Sequence, residues 1–214
     1  MVKPDEERAA RRLGVMTDSL TMFKTHAYQS EERDYVDSIL DLYLKKSGLS
    51  HLQNKLSYCV HELGNNAKKA NLKRVYFKAM NLDMESPASY HIGMANFMQE
   101  TTGNIDYYLN LLREDNLHVK FQFQGFDKAV FIMVRNNIKL LDIEKHRIYE
   151  KIRSARSCRN MAEAYGSIMD ASEGAGLGLV MLILMLRNIG LPDDVLQFIP
   201  RTNETLFLLK IPRL

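Results

Sequence analysis

The apolar positions of this chain keep two different rhythms. From Leu52 they fall at Leu52, Leu56, Cys59, Val60, Leu63, Ala67 and Ala70. Spacings of three and four predict one buried stripe on an amphipathic helix. Residues 31–46 repeat the rhythm with Tyr35, Val36, Ile39, Leu40, Tyr43 and Leu44. Ser30 is the expected N-cap there, two acids fill the first turn, Lys45 and Lys46 suit the last, and Gly48 stops the helix. Leu13, Met16, Leu20 and Phe23 extend a helical expectation over residues 13–28. Residues 73–82 change period: Val75, Phe77 and Ala79 alternate with Tyr76, Lys78 and Met80, which predicts a strand.

Pro87 opens a new segment. Residues 89–100 and 105–114 read as helices, broken at Thr102-Gly103. Strict alternation of Val119, Phe121 and Phe123 predicts a strand over 118–124. Gly125-Phe126-Asp127 is a turn, and residues 129–134 form a further strand. Residues 141–164 are charged and helical, with Ile143, Ile148, Ile152 and Met161 as anchors. Gly174, Gly176 and Gly178 lead into an apolar helix, 179–188, ended by Gly190-Leu191-Pro192. Residues 205–211 form a closing strand.

Composition narrows the class. The 214 residues are 46% hydrophobic and 26% charged, the profile of a globular chain. A formal net charge of +3 argues for neither nucleic acid nor an anionic membrane. The charged start is no signal peptide, and the longest apolar run, 177–186, is too short to span a bilayer. Cys59 and Cys158 have neither a pairing motif nor metal spacing. A buried free Cys59 fits a reducing, cytoplasmic setting. His26, His51 and His91 lack metal-spaced companions and read as structural or surface residues.

The candidate chemistry lies on the 52–70 helix. At about 100° per residue, Glu62, Asn66 and Lys69 share one narrow arc beside the apolar stripe. His61, Asn65 and Lys68 project further round, toward expected solvent. An amide oxygen is a hard neutral ligand suited to magnesium, and a carboxylate one turn away can serve as general base. Far downstream, the G-A-G-L-G-L run of residues 174–179 precedes a helix. Unpaired amides at such a turn suit phosphate.

Together these stretches resemble the histidine-kinase-like (GHKL, Bergerat-fold) ATPases. Glu62, Leu63, Asn66, Ala67 and Lys69 match E-L-x-x-N-A-x-K. Residues 174–179 match the glycine-rich phosphate loop, and the closing strand matches T-x-F-x-L-x-x-P. The resemblance implies an α+β fold, a two-layer α/β sandwich with a mixed, mostly antiparallel sheet and helices on one face. It covers residues 49–214, with a helical insertion around 86–116 and an N-terminal helical segment, 1–48. It implies that Asn66 ligates Mg2+, that Glu62 is the catalytic base, and that Lys69, Gly174, Gly176, Leu177 and Gly178 bind the phosphates of ATP or ADP. It also implies a lid over residues 141–164, a signalling protein partner, and a homodimer through the N-terminal or inserted helices. No phosphoacceptor histidine domain is present, so catalysis would act in trans.

One motif departs from the pattern. Where the family carries D-x-G-x-G, this chain carries Asn136, Ile138 and Leu140. Asn136 could still accept the adenine amino proton, more weakly than a carboxylate. Branched side chains at the glycine positions crowd the base. The departure keeps open a second reading, a pseudo-kinase scaffold that binds protein and no nucleotide.

Overall fold

A computed structural model describes residues 20–158, 163 and 177–213. In order, these form β1 (Thr21–Thr25), α1 (Ser30–Lys46), a 3-10 turn (Ser50–Leu52), α2 (Gln53–Ala79), α3 (Pro87–Gly103), α4 (Ile105–Glu114), β2 (Val119–Gly125), β3 (Ala129–Asn136), α5 (Asp142–Ser157), α6 (Leu177–Asn188), β4 (Leu196–Pro200) and β5 (Thr205–Pro212). The class is α+β. The strands make a five-stranded sheet in the order β1-β2-β3-β5-β4. Every one of its pairings is antiparallel, where a mixed sheet was expected.

The register sorts side chains by face. Phe23↔Phe121, Phe121↔Val134, Val134↔Phe207 and Phe207↔Phe198 share one face. That face meets Leu40 and Leu44 of α1, Leu56, Val60 and Leu63 of α2, Ile152 of α5 and Leu182 of α6 in the main core. Each such fully buried side chain contributes about 1.5–3 kcal/mol relative to exposure. The opposite face carries a smaller apolar cluster built from strand and turn residues, among them Phe126, Phe131, Met133 and Leu206.

Two sequence expectations fail here. The strand predicted over 73–82 is the continuation of α2, which runs unbroken for 27 residues. Leu72, Val75, Tyr76 and Phe77 are covered by Phe97 of α3 and by Tyr108, Leu109 and Leu112 of α4. A helix covered from two sides carries adjacent apolar residues, here Val75, Tyr76 and Phe77, and every second residue of that stretch mimics alternation. In the 13–28 helix expectation, residues 21–25 are instead the edge strand β1, with Thr21, Phe23 and Thr25 opposite Phe123, Phe121 and Val119. Residues 13–19 lie outside the described residues. β1 and α1 therefore join the same sheet and core as the rest. The strand β4 was not foreseen.

Helix ends follow local chemistry. α1 is capped by Gln29 rather than Ser30: the Gln29 amide N–H donates to Glu32 Oε2 at 2.6 Å. Gly48 at φ +72° lets Leu49 N–H reach back to Leu44 O at 2.8 Å, closing the helix. Gly190, at φ +80°, does the same for α6. Among the described residues no helix is long and apolar enough to cross a membrane.

Candidate functional site

α2 positions Glu62 and Asn66 one turn apart, and Asn66 Nδ2 donates to Glu62 Oε1 at 3.0 Å. The start of α6 lies directly against them. A methyl group built on Gly178 would fall 1.8 Å from Glu62 Oε1 and 2.4 Å from its Cδ. The two stretches singled out in the sequence, separated by over a hundred residues, therefore touch, and glycine is what permits it. Leu177 stands beside Gly178 at the head of α6 and is half-buried. Gly174 and Gly176 lie outside the described residues; the expected lid, 141–164, is described over 141–158 and at 163, most of it as α5.

Lys69 follows one turn after Asn66, half-buried and without an ion-pair partner among the described residues. Lys73 falls on the same arc one turn later. α2 thus lines one edge with a carboxylate, an amide and two ammonium groups.

For a magnesium nucleotide, the two ends of this edge differ. At the Glu62 end the donors suit the group. The Asn66 amide nitrogen is committed to Glu62, which leaves Oδ1, a hard oxygen, turned outward on an exposed side chain. At the base end they do not. Asn136 closes β3 in the protein interior, and its Nδ2 donates to Asn71 Oδ1 of α2 at 3.2 Å. Asn136, Asn71, Ile138 and Leu140 are each at most 5% exposed. Asn136 therefore ties the sheet to α2 rather than facing an open base site.

His61, Asn65 and Lys68 do not face solvent as expected; they face α1. His61 Nε2 donates to Asp37 Oδ2 at 2.9 Å, and in the neutral ring its Nδ1 accepts the Tyr28 hydroxyl proton at 2.6 Å. Ser57 Oγ donates to Asp37 Oδ1, and Arg33 donates to Asn65 Oδ1. Burial pushes the Lys68 ammonium below its ordinary value, the Arg33 charge adds to this and Glu32 opposes it. Tyr28 is buried against Phe121, ring centroids 4.7 Å apart, beside the bare backbone of Gly64. This polar seam clamps α1 to α2.

A further network lies at the other end of α2, where the strand reading had hidden it. Arg74 pairs with Glu144 of α5, Nη1 to Oε1 at 3.1 Å, with Nη2 on Oε2 and on Lys139 O. Glu144 Oε2 also accepts the Leu141 amide proton at 3.1 Å, capping α5. Tyr90 of α3 receives two donors on its hydroxyl oxygen: Lys73 Nζ at 3.2 Å and Arg147 Nη1 at 3.1 Å. The signal that could have revealed Lys73 was its place on the arc of Glu62, Asn66 and Lys69. Tyr90 and Arg147 carried no such signal.

Cys59 and Cys158 are free and buried, as Cys59 was read. Among the described residues no cluster of three His, Cys, Asp or Glu could hold a metal ion.

No family model matches the chain, and no solved structure matches it. It is similar to an uncharacterized protein of Treponema pallidum (strain Nichols), 39% identical over 179 residues. The match covers 84% of this chain and 35% of that protein, so the chain spans about a third of that relative's length.

Proposed function

We propose that this chain is a histidine-kinase-like, magnesium-nucleotide-binding domain in bacterial-type signal transduction, acting in the cytoplasm on a protein partner in trans. The observation that carries the reading is the contact between Gly178 and Glu62. Two sequence-distant stretches, each resembling half of a phosphate site, meet side by side. In this reading Asn66 Oδ1 ligates magnesium, Lys69 and the backbone of residues 174–178 hold phosphate oxygens, and Glu62 takes the proton of the attacking hydroxyl. A bound nucleotide would supply the phosphoryl group. Glu62 is kept aligned by its hydrogen bond from Asn66.

A second reading has its own observation. Asn136 is already satisfied by Asn71 within the core, and Ile138 and Leu140 are buried beside it. That closed base end favours a scaffold that binds protein and needs no nucleotide.

Thermal denaturation with magnesium-ATP and magnesium-ADP separates the two, with Asn66→Ala and Gly178→Ala alongside. Nucleotide at a hundred times its Kd adds about 2.7 kcal/mol of stability, a Tm rise of roughly 5–10 °C for a domain of this size. The first reading expects a saturable rise, abolished in Asn66→Ala and weakened in Gly178→Ala. No rise at millimolar nucleotide rejects it and leaves the scaffold.

A further inference from the structure

We infer that Lys73, Tyr90 and Arg147 form a second anion site, one that takes a phosphate dianion. The site is made where α2, α3 and α5 converge, and it stands independently of the nucleotide reading.

The argument begins with charge. Lys73, Arg74 and Arg147 bring three cations together, and Glu144 is the carboxylate among them. Both Glu144 oxygens are engaged by Arg74, and Oε2 also takes the Leu141 amide. Lys73 Nζ reaches Glu144 only at 3.7 Å. Arg147 has no carboxylate partner among the described residues. On the outer side of α5, Lys145 and Asp142 neutralise each other at 2.8 Å. With one carboxylate among three cations the cluster carries a net excess of two positive charges, and Lys73 and Arg147 both point at one neutral phenol.

Geometry sharpens this. Lys73 Nζ and Arg147 Nη1 donate to the same Tyr90 oxygen, and both lie over its ring, 5.5 and 5.3 Å from the centroid. Two like charges held this close repel, the more so because the Lys73 side chain is only 16% exposed. A phenol oxygen that accepts twice still has its own proton to give. The Tyr90 hydroxyl, the remaining ammonium protons and the free guanidinium edge offer donors of three kinds. A phosphate matches them in charge and in its several acceptor oxygens. A single carboxylate would neutralise half the excess.

The platform is rigid. Gly93 lets α3 sit directly on α2: a methyl there would lie 2.5 Å from Phe77 Cζ. Tyr76 donates its hydroxyl proton to Gly93 O at 3.1 Å. Tyr90, one turn before Gly93, is packed against Phe77 with ring centroids 5.7 Å apart. The hydroxyl is thereby fixed between the two cations.

The test is isothermal titration calorimetry of inorganic phosphate into the wild-type chain, Arg147→Gln, Lys73→Gln and Asn66→Ala, at constant ionic strength set with chloride. Melting curves of the same proteins establish that each is folded. Phosphate also stabilises proteins non-specifically by exclusion from their surface, so differences between variants are the readout. The expected result is saturable binding to wild type and to Asn66→Ala, weakened at least tenfold in Arg147→Gln and in Lys73→Gln. Equal binding to wild type and Arg147→Gln overturns the site. So does loss in Asn66→Ala with retention in both cation variants, which would assign the phosphate to the Glu62 end. Absence of binding in every protein overturns it as well.

Discussion

Gly64→Ala tests the packing at the heart of the domain. Gly64 lies in the interior of α2, where alanine gains up to about 1 kcal/mol over glycine from helix propensity alone. Opposing that gain, the new methyl would lie 2.5 Å from Tyr28 Cε1, 2.9 Å from Tyr28 Cζ and 2.8 Å from Phe121 Cζ. Both rings are fully buried, and Tyr28 is held at its far end by His61. Neither can swing aside. Overpacking of this kind costs about 2–3 kcal/mol, so the net loss is about 1–2 kcal/mol. For a chain of this size that lowers Tm by roughly 2–8 °C. Gly103→Ala is the internal reference. It lies at the end of α3 with nothing within 4 Å of its methyl position, and it should leave Tm unchanged or raise it. Urea and thermal denaturation of the pair decide the matter. A Gly64→Ala protein at least as stable as wild type would refute the close approach of Tyr28 and Phe121 to α2.

Two further outcomes follow from buried titratable groups. Burial raises the Glu144 carboxyl, but the hydrogen bonds and charge of Arg74, with Lys73 and the Leu141 amide, outweigh it and hold the group below its ordinary value. The unfolded chain therefore takes up that proton first: the stabilisation is complete above about pH 4.3 and is lost as pH falls through the lower folded value. Glu144→Gln should cost about 2–3 kcal/mol at neutral pH, with the gap to wild type narrowing in denaturant melts below pH 4; a gap that stays constant refutes the linkage. Burial, with the Glu62 charge adding to it, pushes the Cys59 thiol up to about 12. Its contribution is complete below the unfolded value of about 8.5 and fades as pH rises toward the folded one. In a Cys158→Ala background, a thiol reagent at pH 8 should label Cys59 only at the rate of unfolding, and rapid labelling would contradict its burial.

The sequence was informative where one period dominates. α1 shows its stripe, its acidic first turn and its glycine stop in choices that all agree; β2 shows clean alternation, and β3 follows across a turn as a continuous apolar run. The Glu62–Asn66 arc was legible for the same reason: helical spacing fixes which side chains share an edge. The second half of α2 was not, because two layers of helix cover it and its apolar run loses a single period. β1 was misread because Leu20 and Phe23 lie three apart, and only a partner over ninety residues away makes Phe23 a strand residue. The Asn136–Asn71 bond, the α1–α2 seam and the convergence on Tyr90 are tertiary juxtapositions, and no local pattern encodes them. Alternation in Gln122, Phe123 and Gln124 foretold a strand, yet not that Gln122 would be buried.

A single helix of about 40 Å threads both hydrophobic clusters: Leu56, Val60 and Leu63 belong to the sheet core, and Val75, Tyr76 and Phe77 to the α3–α4 pair. Amide exchange along α2 should therefore report two openings. Its last turns lose protection when α3 and α4 lift away, a sub-global event, while its first turns wait for the whole sheet to come apart. Lys73 is anchored in the looser half and Arg147 on α5 against the tighter one. An anion gripping both would close the gap between the two exchange rates by slowing the lesser opening alone, and α2 would then behave as one cooperative rod.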